Sequence, residues 1–185
     1  GGATNVAFRL LDPSSAAPLT VGTAVAGTLD AGRETAIYRF HGTVGQSLQF
    51  DGLDPNRASI TRIIGPGGNQ VLVVTTSDDS SVVLLETADY FLFVEGNGNG
   101  ATPYTFQLLD VAAFPLLAFG TPQSGSLSSG QTAGFRFQGT AGQKLVYDVL
   151  SLSARADVRL FGPQGSQVFG ANAVWDSNLI SLGAT

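Results

Sequence analysis

An all-β fold, two tandem antiparallel β-sandwich domains of jelly-roll-like kind, is what this sequence predicts. Three observations carry the prediction. Apolar and polar residues alternate with period two over short runs, Gly and Pro punctuate those runs, and the whole pattern returns after 97–98 residues.

The alternation is read directly from the chain. Tyr38 and Phe40 fall on one side with Arg39 and His41 on the other; Leu48 and Phe50 point inward with Ser47 and Gln49 outward. Further strand-like runs are Ile60–Ile64, Gln70–Thr75, Ser81–Leu85, Tyr90–Val94 and Tyr104–Leu109. Gly65-Pro66-Gly67-Gly68-Asn69 and Gly162-Pro163-Gln164-Gly165 are hairpin turns, since Gly takes positive φ and Pro fixes its own. With 24 Gly in 185 residues, no window sustains a helical period. About eight short strands per period, separated by frequent turns, indicate a sandwich.

The repeat has a definite phase. Tyr38-Arg39-Phe40-His41-Gly42-Thr43-Val44-Gly45-Gln46 returns 97 residues later as Phe135-Arg136-Phe137-Gln138-Gly139-Thr140-Ala141-Gly142-Gln143. Phe8-Arg9-Leu10-Leu11-Asp12 returns as Phe106-Gln107-Leu108-Leu109-Asp110 at a spacing of 98. Residues 13–110 therefore hold one complete sandwich repeat, and 111–185 hold a second lacking the last strands. That second repeat reaches Ile180-Ser181-Leu182, matched to Val83-Leu84-Leu85, and has nothing like Asp89–Val94 or Tyr104–Phe106. Residues 1–12 are a strand in the phase of a preceding repeat. The Ala112–Ala118 stretch, carrying Pro115, is expected to be a short link between the two sandwiches.

Composition excludes several functions. A net charge of −5 and pI near 4.6 argue against nucleic-acid and anionic-membrane partners, which need a basic face. Zero Cys excludes disulfides and thiolate chemistry, and one His excludes a His-rich metal site within the chain. No apolar stretch reaches the roughly 18 residues of a membrane span, and no basic-then-apolar leader is visible. The absence of Met at position 1 predicts a processed chain or a piece of a longer one.

Residue for residue, the repeat resembles the bacterial pre-peptidase C-terminal domain family. The resemblance rests on Tyr-Arg-Phe-x-Gly-x-x-Gly-Gln-x-Leu-x-Phe-Asp at 38–51, Gly-Pro-x-Gly at 65–68, Asp89–Val94 and Tyr104-Thr105-Phe106-Gln107-Leu108. It covers 18–110 and most of 120–182. It implies a non-catalytic β-sandwich appended to secreted proteases or strung along surface proteins, linked to calcium or to carbohydrate and protein contact. The family often has Asp in an Ala-Asp-x-x-Leu strand. Ala156-Asp157-Val158-Arg159-Leu160 fits that pattern, whereas Ser59-Ile60-Thr61-Arg62-Ile63 departs from it in the first repeat.

Few residues bear chemistry. A Ser-His-Asp hydrolase would have only His41 as base, and His41 reads as a solvated residue on an outward strand face. No pair of carboxylates is marked out for glycoside hydrolysis. Calcium takes hard oxygen ligands from loops, and Asp51, Asp54 and Asn56, with Asp148 and Asp157 in the second repeat, are the candidate ligands. The same residue types are ordinary turn formers. Trp175, the only Trp, has Asp78 as its counterpart and is read either as buried in a core or interface or as a ligand contact. Val6, Phe8 and Leu10 are the candidate assembly residues, because open sheets recruit strands from other chains.

The expected function is a non-enzymatic, secreted or cell-surface structural or adhesive repeat. Its partners are other copies or neighbouring repeats, joined head to tail by donor-strand addition, with polysaccharide or a cell-surface protein as further partners. The alternative is a calcium- or carbohydrate-binding accessory domain of a secreted enzyme or adhesin.

Overall fold

The structure is a computed structural model that describes residues 5–30, 32–54, 59–128 and 130–183. Among the described residues, the first repeat has nine strands: β1 (Ala17–Pro18), β2 (Val25–Leu29), β3 (Thr35–Gly42), β4 (Ser47–Gly52), β5 (Ser59–Ile64), β6 (Gln70–Thr75), β7 (Ser80–Val83), β8 (Ala88–Gly96) and β9 (Thr102–Asp110). They form a five-stranded sheet in the order β1-β3-β8-β5-β6 and a four-stranded sheet in the order β2-β9-β4-β7. All pairings are antiparallel except β1 with β3, which is parallel.

Period-two alternation drives this arrangement. On β8, Tyr90, Leu92 and Val94 are buried while Asp89, Phe91, Phe93 and Glu95 take the other face. On β9, Tyr104, Phe106 and Leu108 turn inward. Aromatic rings fill the space between the sheets: Phe50 stacks on Phe106 at 5.5 Å and Phe40 on Tyr90 at 5.6 Å. Burying one such side chain contributes about 1.5–3 kcal/mol, and each ring pair adds about 0.5–1.5 kcal/mol. β4 departs from the expected pattern. Gln49 is buried as well as Leu48 and Phe50, because its outward face is covered and Ser81 Oγ donates to Gln49 Oε1 at 2.7 Å.

The second repeat retraces several turns and bonds of the first. Leu19 N–H donates to Arg39 O at 2.8 Å, and Leu117 N–H donates to Arg136 O at 2.7 Å. Asp12 caps a 3₁₀ turn at Pro13–Ser15, and Asp110 caps one at Val111–Ala113. Gly45 and Gly142 both sit at φ 79°, at the turn after the Tyr-Arg-Phe strand and its Phe-Arg-Phe counterpart. The Ala112–Ala118 stretch is thus the start of the second repeat, carrying the Leu116–Arg136 bridge, rather than a link. The match near the end also shifts by one residue. Gly142 N–H donates to Leu182 O as Gly45 N–H donates to Leu84 O, so Ile180-Ser181-Leu182 corresponds to Val82-Val83-Leu84.

The second repeat is built only in part. Its strands are β10 (Lys144–Leu145), β11 (Asp157–Phe161), β12 (Gln167–Asn172) and β13 (Ile180–Ser181), paired as β10-β13 and β11-β12. These are the counterparts of β4-β7 and β5-β6. The physical reason lies in the first repeat, where β8 sits between β3 and β5, and β9 sits between β2 and β4. The strands without counterpart in 111–185 are the middle strands of both sheets, not edge strands. Core positions follow suit: Leu29 is 2% exposed, whereas its counterpart Leu127 is 53% exposed. Among the described residues after Asp110, Ala173 and Ile180 are the buried apolar side chains.

Candidate assembly interface

Residues 5–12 carry no regular secondary structure and lie exposed along the first repeat, with Arg9 3.5 Å from Glu34. Val6, Phe8 and Leu10 alternate along this segment at 79%, 87% and 92% exposure. Their counterparts 98 residues on, Tyr104, Phe106 and Leu108, are 5%, 0% and 0% exposed at the centre of the sandwich. The same side-chain pattern is a core stripe in one context and an uncovered stripe in the other.

A second contact joins the two repeats. The β6–β7 turn presents Asp79, whose Oδ1 accepts from Gly52 N–H at 3.1 Å and whose Oδ2 accepts from Thr132 Oγ1 at 3.1 Å. The Arg159 guanidinium on β11 donates to Asp79 O at 3.0 Å. Burial holds the Asp79 carboxyl above the usual carboxylate range; the nearby Asp51 charge pushes the same way, against lowering by the Gly52 and Thr132 hydrogen bonds and the Arg159 charge. In the sequence Asp78 and Asp79 are simply two adjacent acidic residues after the Gln70–Thr75 run. The signal that places Asp79 in a junction is Arg159, the counterpart of Arg62, which stands on the outer face of its own sheet.

The candidate metal ligands do not gather. Asp51 is fully buried on β4, where Gln107 on β9 donates to its Oδ2 at 2.5 Å and its Oδ1 has no hydrogen-bond partner. Asp54 is buried nearby, and Asn56 lies outside the described residues. Asp148, the counterpart of Asp51, is exposed, since no strand like β9 lies over it. Asp157 faces outward with Arg155 3.8 Å away. Among the described residues, no three acidic or His side chains are disposed to share a metal ion.

Trp175 is 77% exposed beside Val174, so it is not a core residue of this chain. His41 is exposed on β3 and lies 3.0 Å from Asp89, its cross-strand neighbour on β8. A shallow cleft of about 400 Å³ lies between the β3–β4 turn and the second repeat, lined in part by Gln46, Asp110 and Arg136. There Gln46 Nε2 donates to Asp110 Oδ2 at 2.8 Å and Arg136 Nε donates to Phe114 O at 2.9 Å, each bond lying within one repeat. No helix among the described residues is long and apolar enough to cross a membrane.

No protein-family model matches this chain, and no curated protein matches it. Among solved structures it is similar to the pre-peptidase C-terminal domain of collagenase from Bacillus anthracis, with 16% identity, a TM-score of 0.45, and 51% of this chain and 94% of that chain covered. It is also similar to PliG of Aeromonas hydrophila, a periplasmic inhibitor of g-type lysozyme, with 12% identity, a TM-score of 0.45, and 51% and 95% covered. PliG of Salmonella Typhimurium shows 18% identity, a TM-score of 0.40, and 51% and 96% covered.

Proposed function

We propose that this chain is a non-catalytic β-sandwich repeat module of a secreted or surface-exposed protein, and that it assembles head to tail by strand donation. In this reading 1–12 is the donor strand, 13–110 the complete sandwich and 111–185 the acceptor. Residues 6–12 of one copy lie beside the 144–149 segment of the next, in the position that β9 occupies beside β4. The observation that carries the reading is the Val6-Phe8-Leu10 stripe, exposed here and matched by the buried Tyr104-Phe106-Leu108 stripe. Main-chain hydrogen bonds would supply affinity and the alternate side chains the register. An operator that does not close then yields a filament.

Light scattering tests the reading. The intact chain is expected to form oligomers whose size grows with concentration, and Phe8→Asp or removal of residues 1–12 is expected to reduce their size sharply. Monomers in every case, or oligomers untouched by both changes, would overturn strand donation. The second reading, a carbohydrate-binding accessory module, draws on the exposure of Trp175. It predicts that polysaccharide quenches Trp175 fluorescence without changing oligomer size. Calcium held at Asp51 and Asp54 belongs to this second reading, and isothermal titration with calcium chloride checks it.

A further inference from the structure

The contact between Asp79 and Arg159 joins unlike surfaces: a turn of one repeat meets the outer sheet face of the next. Each repeat carries both surfaces, so each recurs once without a partner repeat among the described residues. On the second repeat the turn recurs at Asp176, whose Oδ1 accepts from Val149 N–H at 2.9 Å as Asp79 Oδ1 accepts from Gly52 N–H at 3.1 Å. On the first repeat the face recurs around Arg62, on the outward side of β5, where its guanidinium pairs with Glu95 on β8 and lies 6.0 Å from the Phe93 ring centre.

Both recurring surfaces are more apolar than the pair already joined. Where the joined turn has Asp78, the other has Trp175, 77% exposed; Leu150, the counterpart of Leu53, is 67% exposed beside it in the repeat. Where the joined face has Asp157 and Gly170, the other has Ile60 and Val73, which are 36% and 53% exposed. Exposed apolar residues gathered on matching surfaces mark contact sites.

We propose that a second copy of this chain docks the Ile60-Arg62-Val73 face of its first repeat onto the Trp175-Asp176 turn of the second repeat. The occupant is a second copy because the geometry repeats a contact the chain already makes within itself. Arg62, released from Glu95 of its own repeat, takes the place of Arg159, and the Asp176 turn takes the place of the Asp79 turn. Trp175 forms the centre of the contact, as buried aromatic anchors do. The proposal rests on the repeat reading but uses none of Val6, Phe8 or Leu10, so it stands or falls apart from strand donation.

Trp175, as the sole Trp, reports its own burial. In the full chain its emission is expected to move to the blue and to resist acrylamide quenching as concentration rises, equally in Phe8→Asp. Trp175→Asp and Ile60→Asp each install the residue that the other repeat carries, so both are expected to fold with an unchanged circular dichroism spectrum. Each alone should self-associate roughly tenfold more weakly or worse. Mixed together they should pair, because each retains the surface the other lacks, and the Trp emission of the Ile60→Asp chain should shift on adding the Trp-free Trp175→Asp chain. Emission independent of concentration, or no shift on mixing the two folded variants, would overturn the proposal. Loss of the shift in Phe8→Asp would overturn it in favour of strand donation alone.

Discussion

The hydroxyls of Tyr38 and Tyr104 lie 2.6 Å apart and tie β3 of one sheet to β9 of the other. Burial and the Tyr38 partner raise the Tyr104 phenol well above its ordinary value near 10.0. Tyr38→Phe leaves the Tyr104 hydroxyl without its partner at the sandwich mouth, which is expected to cost about 1 kcal/mol. An acid whose folded pKa is raised binds its proton more tightly when folded, so stability is lost as pH rises above the unfolded value. Absorbance at alkaline pH should show Tyr104 ionising only as the sandwich opens.

Leu29 and Leu127 occupy the same repeat position in unlike surroundings. Leu29→Ala is expected to cost about 2–5 kcal/mol, as for other core leucines. Leu127→Ala should cost less than about 1 kcal/mol, since its side chain is already half in water. Urea unfolding midpoints of the two variants check the difference. Equal costs would mean that the second repeat has a core of its own.

Gly96 closes β8 where the chain passes Gly32, and a Cβ there would press on the Gly32 carbonyl. Backbone does not yield as a side-chain tip does. Gly96→Ala is expected to lower stability by about 1–3 kcal/mol, as other overpacking changes do. The melting temperature in scanning calorimetry reads it.

Asp79 gives the junction a pH dependence of known sign. Its folded pKa is raised, so the penalty for its charge is fully present above that value, fades as pH falls from there, and is gone below the unfolded value of 3.8. Asp79→Asn keeps an acceptor for Gly52 N–H and removes the repulsion from Asp51. The variant is expected to melt higher than the parent at neutral pH and to lose this advantage toward pH 3, on the order of the unfolded value.

Much of this architecture was legible in the chain, because alternation and turn residues act locally. Ile60–Ile64, Gln70–Thr75 and Tyr90–Val94 all appear as strands within a residue or two. The repeat itself was legible because Gly45 and Gly142 serve one turn geometry. What stayed hidden depends on sheet order. Nothing in the pattern of Asp89–Val94 or Tyr104–Leu109 says that these strands are central, so the second repeat looked open at an edge. Gln49 and Asp51 read as outward or loop residues because their cover, Ser81 and Gln107, comes from strands distant in sequence. Trp175 was ambiguous because a lone aromatic in a turn carries no periodicity to place it.

The position of β8 and β9 also sets when such a repeat becomes a folded object during translation. Seven strands leave the ribosome before β8 and β9, one of which must enter the middle of each sheet, and until they arrive only the β1-β3, β4-β7 and β5-β6 pairs have partners at hand. Assembly is therefore late and abrupt, decided by the newest stretch of polypeptide, and the nascent strands stay sticky until then.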